Sequence, residues 1–536
     1  MNQKSIPASP WSPLRVNTFR WLWIATLVSN IGSWMHDMGA GWLMTGLTTS
    51  PVIVALLQTA TSLPAFFLLL PSGALSDILD RRKYLMCGNI GMSVVAIAIA
   101  FMTITGLINQ WSLLLLTLML GIGMAMIMPT WQSIIPEVVP RAELGGAIGL
   151  NTLGVNVSRA IGPLMAGLII AHIGTGAVFV CNALSFAFII FVLARWKRAV
   201  PETQLPPERI SSAIATGLRY ARYSPPLRAA VIRSIGFYFF ASVMWSLLPL
   251  IARVHLRGNE QLYSWLYSAI SLGAVGNVLL LPRWRMIFND DQLLTVSSVV
   301  FAFGMSATAL THNHVVALLA LCMCGGAWIT VMTCAQTAAQ TALPNWVRSR
   351  GMALFLTFFM GSLGIGPVVW GSVAQYFSIS TAMLAASIGV VVATLYTRRW
   401  CISENDNVDH TPSRHWLTPA PKISINHEQG PVMVNVRYEV QAEHIERFLL
   451  EVQSLGKARR RDGATFWHIF SDTQNPGTYV EMYVVNNWLD HLRQHERISR
   501  HDARIQEGLK ELLRRGSEVL VTQFVNSSPT RGRHRN

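Results

Sequence analysis

The sequence predicts an all-α membrane protein of twelve transmembrane helices, arranged as two six-helix halves, with a C-terminal α+β ferredoxin-like soluble domain. Three observations predict this architecture. Apolar runs fill the first 400 residues, basic residues recur in every second loop, and the last 136 residues alternate strand and helix patterns. The 536-residue chain is 51% hydrophobic and 13% charged, whereas soluble proteins average about 25% charged residues.

Each apolar run is long enough to cross a bilayer as a helix, which needs about twenty residues. These segments must be helical because lipid offers no partners for backbone polar groups. The predicted spans cover residues 19–46, 52–75, 84–106, 112–134, 143–171, 176–195, 229–252, 261–282, 293–311, 314–338, 350–374 and 379–397. No small-residue cleavage site follows the basic N-terminus, so we expect a retained first helix rather than a signal peptide.

The basic residues predict the topology. The N-terminus and the loops after even-numbered spans are basic, including the cluster Arg81-Arg82-Lys83. The loops after spans 1, 3, 5, 9 and 11 have no Lys or Arg, and only the loop after span 7, with Arg253 and Arg257, breaks the pattern. Positive loops stay in the cytoplasm, so we expect a multi-pass protein of the bacterial inner membrane with both termini cytoplasmic.

The domain boundaries follow from these patterns. Residues 1–195 and 229–400 are the two predicted halves, and residues 196–228 form a cytoplasmic linker. The linker contains AIATGLRYARYSPPLR, which favours a basic amphipathic helix on the anionic inner surface, with its apolar face towards lipid.

An internal repeat supports two related halves. A shift of 204 residues pairs Ile161-Gly162-Pro163 with Ile365-Gly366-Pro367, and Gly167 with Gly371. Related halves joined by a long cytoplasmic loop are typical of transporters with a central site between the halves.

The stretch SGALSDILDRRKY after the second span carries a family resemblance. Its pattern Gly73-x-Leu75-Ser76-Asp77-x-x-Asp80-Arg81-Arg82-Lys83 resembles the signature loop of the major facilitator superfamily. The stretch IIPEVVPRAELGGAIGLNTLGVNVSRAIGPLMAG is similar to the transmembrane secretion effector branch, which includes enterobactin and macrolide exporters.

The resemblance implies a gate at this loop, which locks the cytoplasmic side in related transporters. The gating residues would be Gly73, Asp77, Asp80, Arg81 and Arg82. The alternative is that these charges only set topology, although Asp77 opposes a purely positive-inside explanation. Ile78 stands where a basic residue is common in the superfamily, and helix 4 lacks the arginine of many drug/proton antiporters.

Polar residues inside the membrane predict a proton-coupling site. Asn30, His36 and Asp37 lie near the middle of the first span, where ionisable groups are costly and mark pathways or proton relays. We expect Arg159 in the fifth span to pair with Asp37 beside a central cavity, with Asn156 nearby. A proton would then compete with Arg159 for Asp37. The alternatives are a packing role for His36 and a purely structural ion pair for Asp37.

The fifth span also contains a predicted hinge. Gly162, Pro163 and Gly167 resemble the helix-5 motif of superfamily antiporters. Small residues allow close packing and proline removes a backbone donor, so the helix can bend; the alternative is a static kink.

The chain lacks the signatures of several other function classes. It has no P-loop motif and no zinc-finger or RNA-binding signature, and its six cysteines lack metal-ligand spacing. We therefore expect no cofactor, no metal and no nucleic-acid partner.

The C-terminal part begins with a polar linker at residues 401–430 and ends in a predicted disordered tail at residues 526–536. Between them, residues 431–525 show the order βαββαβ that is typical of ferredoxin-like domains. The pattern, including Trp488, His491 and His495, resembles the dimeric α+β barrel group that contains antibiotic-biosynthesis monooxygenases. A homodimer through this domain is therefore expected.

These patterns predict a secondary active transporter rather than an enzyme. The leading hypothesis is a proton-coupled exporter of an amphipathic small molecule, such as a siderophore or drug. Membrane lipid is expected to surround the protein. Two alternatives stay open: an importer or lysophospholipid flippase on the same scaffold, and a membrane-anchored enzyme that acts through its C-terminal domain.

Overall fold

The computed structural model describes residues 11–140, 143–196, 210–344, 347–402, 413, 421, 423–514 and 516–527. Residues 197–209 of the first predicted linker, residues 403–412, 414–420 and 422 of the second, and the chain from residue 528 lie outside these ranges. The fold divides into two compact units. The first comprises residues 1–210, 229–338 and 353–403, and the second comprises residues 211–228, 339–352 and 404–536.

The helices follow the predicted spans closely. The first half contains α1 (Asn17–Leu47), α2 (Pro51–Ile78), α3 (Arg81–Ile104), α4 (Gln110–Val138), α5 (Leu144–His172) and α6 (Thr175–Arg195). After α7 (Ile210–Tyr223) come α8 (Pro225–Leu250), α9 (Glu260–Trp284), α10 (Asp290–Leu310), α11 (His314–Thr341), α12 (Arg348–Tyr376) and α13 (Ile379–Thr397). A π-helical turn, Ile251–His255, extends α8.

Eleven of the described helices are long and apolar enough to cross a membrane. Helix α1 is the exception among the twelve predicted spans, although its 31 residues exceed the length required. Its middle carries Asn30, His36 and Asp37, which lower its mean hydropathy. The helix that falls short in apolar character is thus the one predicted to carry the site.

Side-chain caps set where several helices begin. The Asp80 carboxylate accepts from the backbone N–H of Lys83 at 2.9 Å and starts α3 shortly after α2 has ended. Asn109 and Asn289 cap α4 and α10 in the same way. These caps satisfy N–H groups that have no partner within the helix.

Glycines at equivalent positions of the two halves make equivalent close contacts between helices. A Cβ on Gly162 of α5 would lie 2.6 Å from Trp34 Cβ of α1, and one on Gly366 of α12 would clash with Ser242 Oγ of α8. In each half, this glycine lets the fifth helix approach the first. The second glycine of each motif faces the other half, Gly167 against α9 and Gly371 against α2.

The halves meet at one end of the bundle, called here the Pro51 end, while the opposite end is called the Arg81 end. Hydrogen bonds between the halves are described from the Pro51 end to the middle of the bundle. At the Pro51 end, Ser50 donates to Gln375 at 2.7 Å. Near the middle, the Ser271 hydroxyl donates to the Arg159 carbonyl at 3.1 Å. Between them, Thr59 of α2 donates to the Gly364 carbonyl of α12 at 2.8 Å. At the Arg81 end, the Arg81–Glu137 pair lies within the first half.

The tail domain contains β1 (Val432–Glu439), α14 (Ile445–Asp462), β2 (Phe466–Ser471), β3 (Thr478–Val485), α15 (Trp488–Arg497), α16 (Arg500–Glu511) and β4 (Leu520–Val525). Its four-stranded antiparallel sheet has the order β2-β3-β1-β4. The predicted order βαββαβ has one helix between the last two strands, but the structure has two, α15 and α16. Ser499 adopts an extended conformation and its hydroxyl accepts from the Asp502 N–H, which ends α15 and starts α16.

The two faces of this sheet differ. Alternate residues of β1, from Val432 to Tyr438, are buried in the core with Phe448 of α14. The opposite face leaves large apolar side chains exposed, including Phe466, Phe470, Leu520 and Phe524.

Candidate functional site

The polar residues of α1 share one face with residues that contact the second half. Asn30, Trp34, Asp37 and Gly41 are spaced three or four residues apart, so they line one side of the helix. Trp34 packs edge-on against Tyr267 of α9, with ring centroids 6.2 Å apart. A Cβ on Gly41 would lie 2.8 Å from the Tyr263 hydroxyl. This face of α1 therefore borders the space between the halves.

Asp37 lies in the middle of this face and its side chain is exposed. It is within electrostatic range of the Tyr263 and Tyr267 hydroxyls of α9. Asp37 forms no ion pair with any described residue. A carboxylate at this depth without a fixed partner can take up a proton or a cationic group from the open space.

Arg159 lies near Asp37 but does not form the predicted ion pair with it. Its guanidinium instead stacks over the Trp34 ring, 5.2 Å from the centroid, and Nε has no hydrogen-bond partner among the described residues. The Tyr238 and Tyr267 hydroxyls are its electrostatic neighbours. Tyr267 is thus near both charges, and the aromatic groups hold them apart in this conformation.

The other two predicted site residues of this region lie elsewhere. His36 is buried between α1 and α6, where its ring packs edge-on against Phe179 at 5.1 Å. Neither of its ring nitrogens has a described partner. Asn156 donates to the Thr152 carbonyl of its own helix at 2.9 Å. The structure therefore places Asp37 and Arg159 beside Trp34 and Tyr267, with Asn30 on the same face of α1 by its spacing, but leaves His36 on a different face.

Aromatic side chains of the second half form a continuous cluster beside Arg159, and sequence reasoning missed it. Tyr238 contacts Trp328 at 4.9 Å, and Trp245 contacts both Tyr267 at 5.3 Å and Trp328 at 5.7 Å between ring centroids. The Tyr238 hydroxyl and the Trp245 indole N–H have no described partner. The signal was present in the aromatic-rich stretches GFYFFASVMW and YSWLYS.

The predicted gating loop ties together three helices of the first half. Arg81 pairs with Glu137 of α4 at 2.6 Å, and Arg82 donates to the Leu193 and Ala194 carbonyls at 2.8 and 2.7 Å. The latter bonds place a cation at the C-terminus of α6, where the helix dipole favours it. Asp80 caps α3, as described above.

The remaining two residues of the gating loop are less informative. Packing does not require a glycine at position 73 in this conformation, because a Cβ there would lie 3.9 Å from Pro129 Cβ, an ordinary van der Waals distance. The side chain of Asp77 lies outside the described residues.

The predicted hinge lies at the contact between the halves. The Pro163 carbonyl accepts a hydrogen bond from Ser264 of α9 at 2.8 Å, and α5 continues through the proline to His172. Gly162 and Gly167 are both required by close packing, as described above. Helix α5 therefore touches α1 and α9 within a short stretch.

Arg233 lies near the end of α8, a position typical of side chains that reach out to the membrane surface, but it is buried instead. It is 1% exposed and forms an ion pair with Asp291 of α10. Asp291 also accepts from the backbone N–H of Ile402, after α13, at 3.1 Å. Sequence reasoning missed this three-part junction because its members are 58 and 111 residues apart.

Among the described residues, no group of three or more His, Cys, Asp or Glu side chains could hold a metal ion. The six cysteines are free and scattered. The chemistry this site offers is therefore that of a carboxylate, a guanidinium and aromatic hydroxyl groups.

Comparison with known proteins gives a consistent result. The profile of the family described as transmembrane secretion effector matches residues 8–530. Similar proteins include the enterobactin exporter EntS of Escherichia coli (23% identity, 70% of this chain and 89% of EntS). The staphyloferrin A transporter of Staphylococcus aureus (20%; 68% and 91%) and the multidrug efflux pump Tap of Mycolicibacterium fortuitum (22%; 69% and 92%) are also similar.

Solved structures show the same fold. An inward-facing bacterial homolog of the lysosomal transporter Spinster matches with a TM-score of 0.56 at 16% identity, covering 72% of this chain and 97% of that chain. The nucleoside transporter NupG matches with a TM-score of 0.55 at 14% identity, covering 72% of this chain and 99% of that chain.

Proposed function

The chain belongs to the transmembrane secretion effector family of major facilitator superfamily transporters, and on this premise we propose that it is a proton-coupled exporter. Its family consists of transporters rather than enzymes. It is a multi-pass protein of the inner membrane that carries a small molecule through a lipid environment. The proposed cargo is amphipathic, of the siderophore or drug class, and the proposed mechanism is alternating access.

The observation that carries the proposal is the placement of Asp37. It is exposed, has no described ionic partner, and lies on the face of α1 that borders the second half. An unpaired carboxylate in a membrane-spanning segment has a large free-energy cost, so it persists where it has a function. Proton uptake at Asp37 is the simplest such function.

The arrangement of the halves supports a cycle. The described hydrogen bonds between the halves lie between the Pro51 end and the middle of the bundle. With the basic loops in the cytoplasm, cargo would enter from the cytoplasm and Asp37 would release its proton there. After the halves rock about the hinge at Gly162 and Pro163, a proton from outside would neutralise Asp37 and release the cargo.

The aromatic cluster supports the proposed class of cargo. Trp245 is half-buried beside the buried Tyr238, Tyr267 and Trp328, so its ring is the one nearest to hand for stacking. The unpartnered Tyr238 hydroxyl and Trp245 indole N–H offer hydrogen-bond donors. Arg159 adds a cation that suits acidic or phenolate oxygens. Such a surface suits planar, hydroxylated aromatic compounds, and similar proteins are named for siderophore and multidrug transport.

The tail is proposed to be a ferredoxin-like domain at residues 431–525 that forms a homodimer. Its strand order, β2-β3-β1-β4, supports this fold. Exposed apolar side chains on one sheet face, including Phe466, Phe470 and Phe524, support a second copy of the same sheet as the partner. Cross-linking across this face in the full-length protein tests the homodimer separately from transport.

The test of transport uses everted membrane vesicles with an imposed proton gradient and two probes, enterobactin and ethidium. We expect uptake of at least one probe that collapses when an uncoupler removes the gradient. Asp37→Asn should lower gradient-driven uptake at least about tenfold, which corresponds to about 1.4 kcal/mol, while Asp37→Glu, which keeps a carboxylate, serves as the control. Unchanged uptake by Asp37→Asn would refute proton coupling at this residue.

The same vesicles decide between the proposal and its alternatives. Uptake in right-side-out vesicles alone would mean import, and movement of a labelled lysophospholipid without either probe would mean flipping. Either outcome rejects export while leaving the family assignment intact.

A further inference from the structure

Three distant segments of the chain form one compact unit. Residues 211–228, 339–352 and the tail domain cluster together. Residues 339–352 join α11 to α12, and α12 carries the second hinge copy, Gly366-Pro367. The tail domain is therefore packed in one body with the segment from which α12 begins.

Tyr220 of α7 lies at the centre of this unit. It is fully buried, and its hydroxyl donates to the Ala342 carbonyl at 3.1 Å. Ala342 directly follows α11, so this bond satisfies one of the carbonyls that a helix C-terminus leaves unpaired. The expectation that the apolar face of α7 lies on lipid was wrong at this residue, since Tyr220 packs against protein.

The tail domain contacts the other side of Tyr220. The guanidinium carbon of Arg461, at the end of α14, lies 5.7 Å from the centroid of the Tyr220 ring. Arg461 is held in place by Asp462 at 3.0 Å and by Asp502 at 2.6 Å. The tail's own core thus sets the position of the cation that faces Tyr220.

A second contact joins α7 to the start of α12. A Cβ on Gly217 would lie 3.4 Å from the Cβ of Arg350, which leaves little space between the two helices. Helix α7 therefore touches the residue after α11 through Tyr220 and the first turn of α12 through Gly217.

We infer that Tyr220 couples the tail domain to the α11–α12 turn, so that the tail restrains the base of α12. Alternating access requires α12, including its base, to move with the second half. A docked tail opposes that movement, and a change in the tail, such as its release from Tyr220, frees it. The coupling is a property of this unit and does not depend on which compound is transported.

The test is hydrogen–deuterium exchange on the full-length protein in lipid nanodiscs, without any ligand. Tyr220→Phe keeps the ring but removes the bond to Ala342, so we expect exchange in peptides covering 339–352 to rise about fivefold, the factor that about 1 kcal/mol represents. Tyr223→Phe, the same change one turn later on α7, is the matched control and should leave those peptides unchanged. No rise with Tyr220→Phe, or an equal rise with Tyr223→Phe, overturns the inference.

Arg461→Lys tests the tail's part in the coupling. Lysine keeps a positive charge between Asp462 and Asp502 but removes the planar group over Tyr220, so exchange at 339–352 should rise although Arg461 is distant from those residues in the sequence. Exchange in β3 reports whether the tail stays folded. A folded tail with unchanged exchange at 339–352 would refute coupling through Arg461, and if β3 exchange rises, the Tyr220→Phe result alone decides.

Discussion

The first helices of the two halves occupy equivalent positions, but one carries an exposed charged side chain and the other a buried, paired one. Helix α1 places Asp37 on the face towards the other half, exposed and without a described ionic partner. Helix α8 buries Arg233 within its own half and pairs it with Asp291. A charge in a membrane helix therefore does not by itself mark a transport site, and its partner and its face decide between a structural role and a functional one.

Substituting each aspartate by asparagine is the strongest way to break this comparison. Asp291→Asn leaves the buried Arg233 without a counter-charge, and we expect the free energy of unfolding of the purified protein to fall by about 3–5 kcal/mol. Asp37→Asn removes an exposed carboxylate with no described partner, so stability should change by less than about 0.5 kcal/mol. Denaturant titration of both variants in the same detergent measures the difference.

Equal losses of stability in the two variants would mean that Asp37 also has a structural partner, and its role as the proton site would lose its support. A double variant, Asp291→Asn with Arg233→Met, shows how much of the lost stability comes from the unpaired charge of Arg233 and how much from the lost bond. The double variant should recover part of the stability because the uncompensated cation is gone.

The sequence predicts the helices better than it predicts their neighbours. Length, apolar runs and basic loops are local properties, and the observed helices follow the predicted spans. The pairing of Arg233 with Asp291 depends on packing between segments 58 residues apart, which no local pattern encodes. For the same reason the sequence did not predict the Trp34 ring beside Arg159, since tertiary packing determines that contact.

The tail shows the same division. Alternating apolar residues predicted β1 and its buried face, because the period of two is a local signal. The break between α15 and α16 was missed, since Ser499 lies in a polar stretch where a cap and a helix interior have similar composition.

The hinge glycines offer a second way to sharpen the comparison, because α1 and α8 each pack against one of them. Gly162→Ala places a methyl group 2.6 Å from Trp34 Cβ, and Gly366→Ala places one against Ser242 Oγ and 2.6 Å from the Phe239 carbonyl oxygen. We expect each to lower the free energy of unfolding by about 1–3 kcal/mol. Gly366→Ala should cause the larger loss of stability, because a backbone carbonyl can move away less easily than a side chain.

Gly149→Ala is the control for these variants, since it lies in α5 and a Cβ there meets nothing within 4 Å. It should be neutral or slightly stabilising, because alanine favours a helix more than glycine. A loss of stability in Gly149→Ala equal to that in Gly162→Ala would show that the cost comes from the helix itself rather than from the approach to α1.

The smallest expected effect concerns a third carboxylate, Asp502 in the tail. It is 3% exposed, and burial alone would raise its pKa, but Arg461 at 2.6 Å and the Ser499 hydroxyl at 2.6 Å outweigh burial and lower the pKa below its ordinary value. A lowered pKa in the folded state stabilises the tail above the unfolded value of about 3.9. That stability is lost as the pH falls from about 5 through the folded pKa.

Urea unfolding of the full-length protein, followed by exchange in β3 at several pH values, should show this loss, and Asp502→Asn should flatten it. The described hydrogen bonds to the exposed Asp472 come from Gln474 and Asn475 in its own turn, so Asp472→Asn should change the profile much less. If Asp472→Asn flattened the profile as strongly as Asp502→Asn, burial beside a cation would not distinguish the two carboxylates. Pairing with a buried arginine would then not explain the pH dependence of the tail's stability, unlike the stability difference expected between Asp37→Asn and Asp291→Asn.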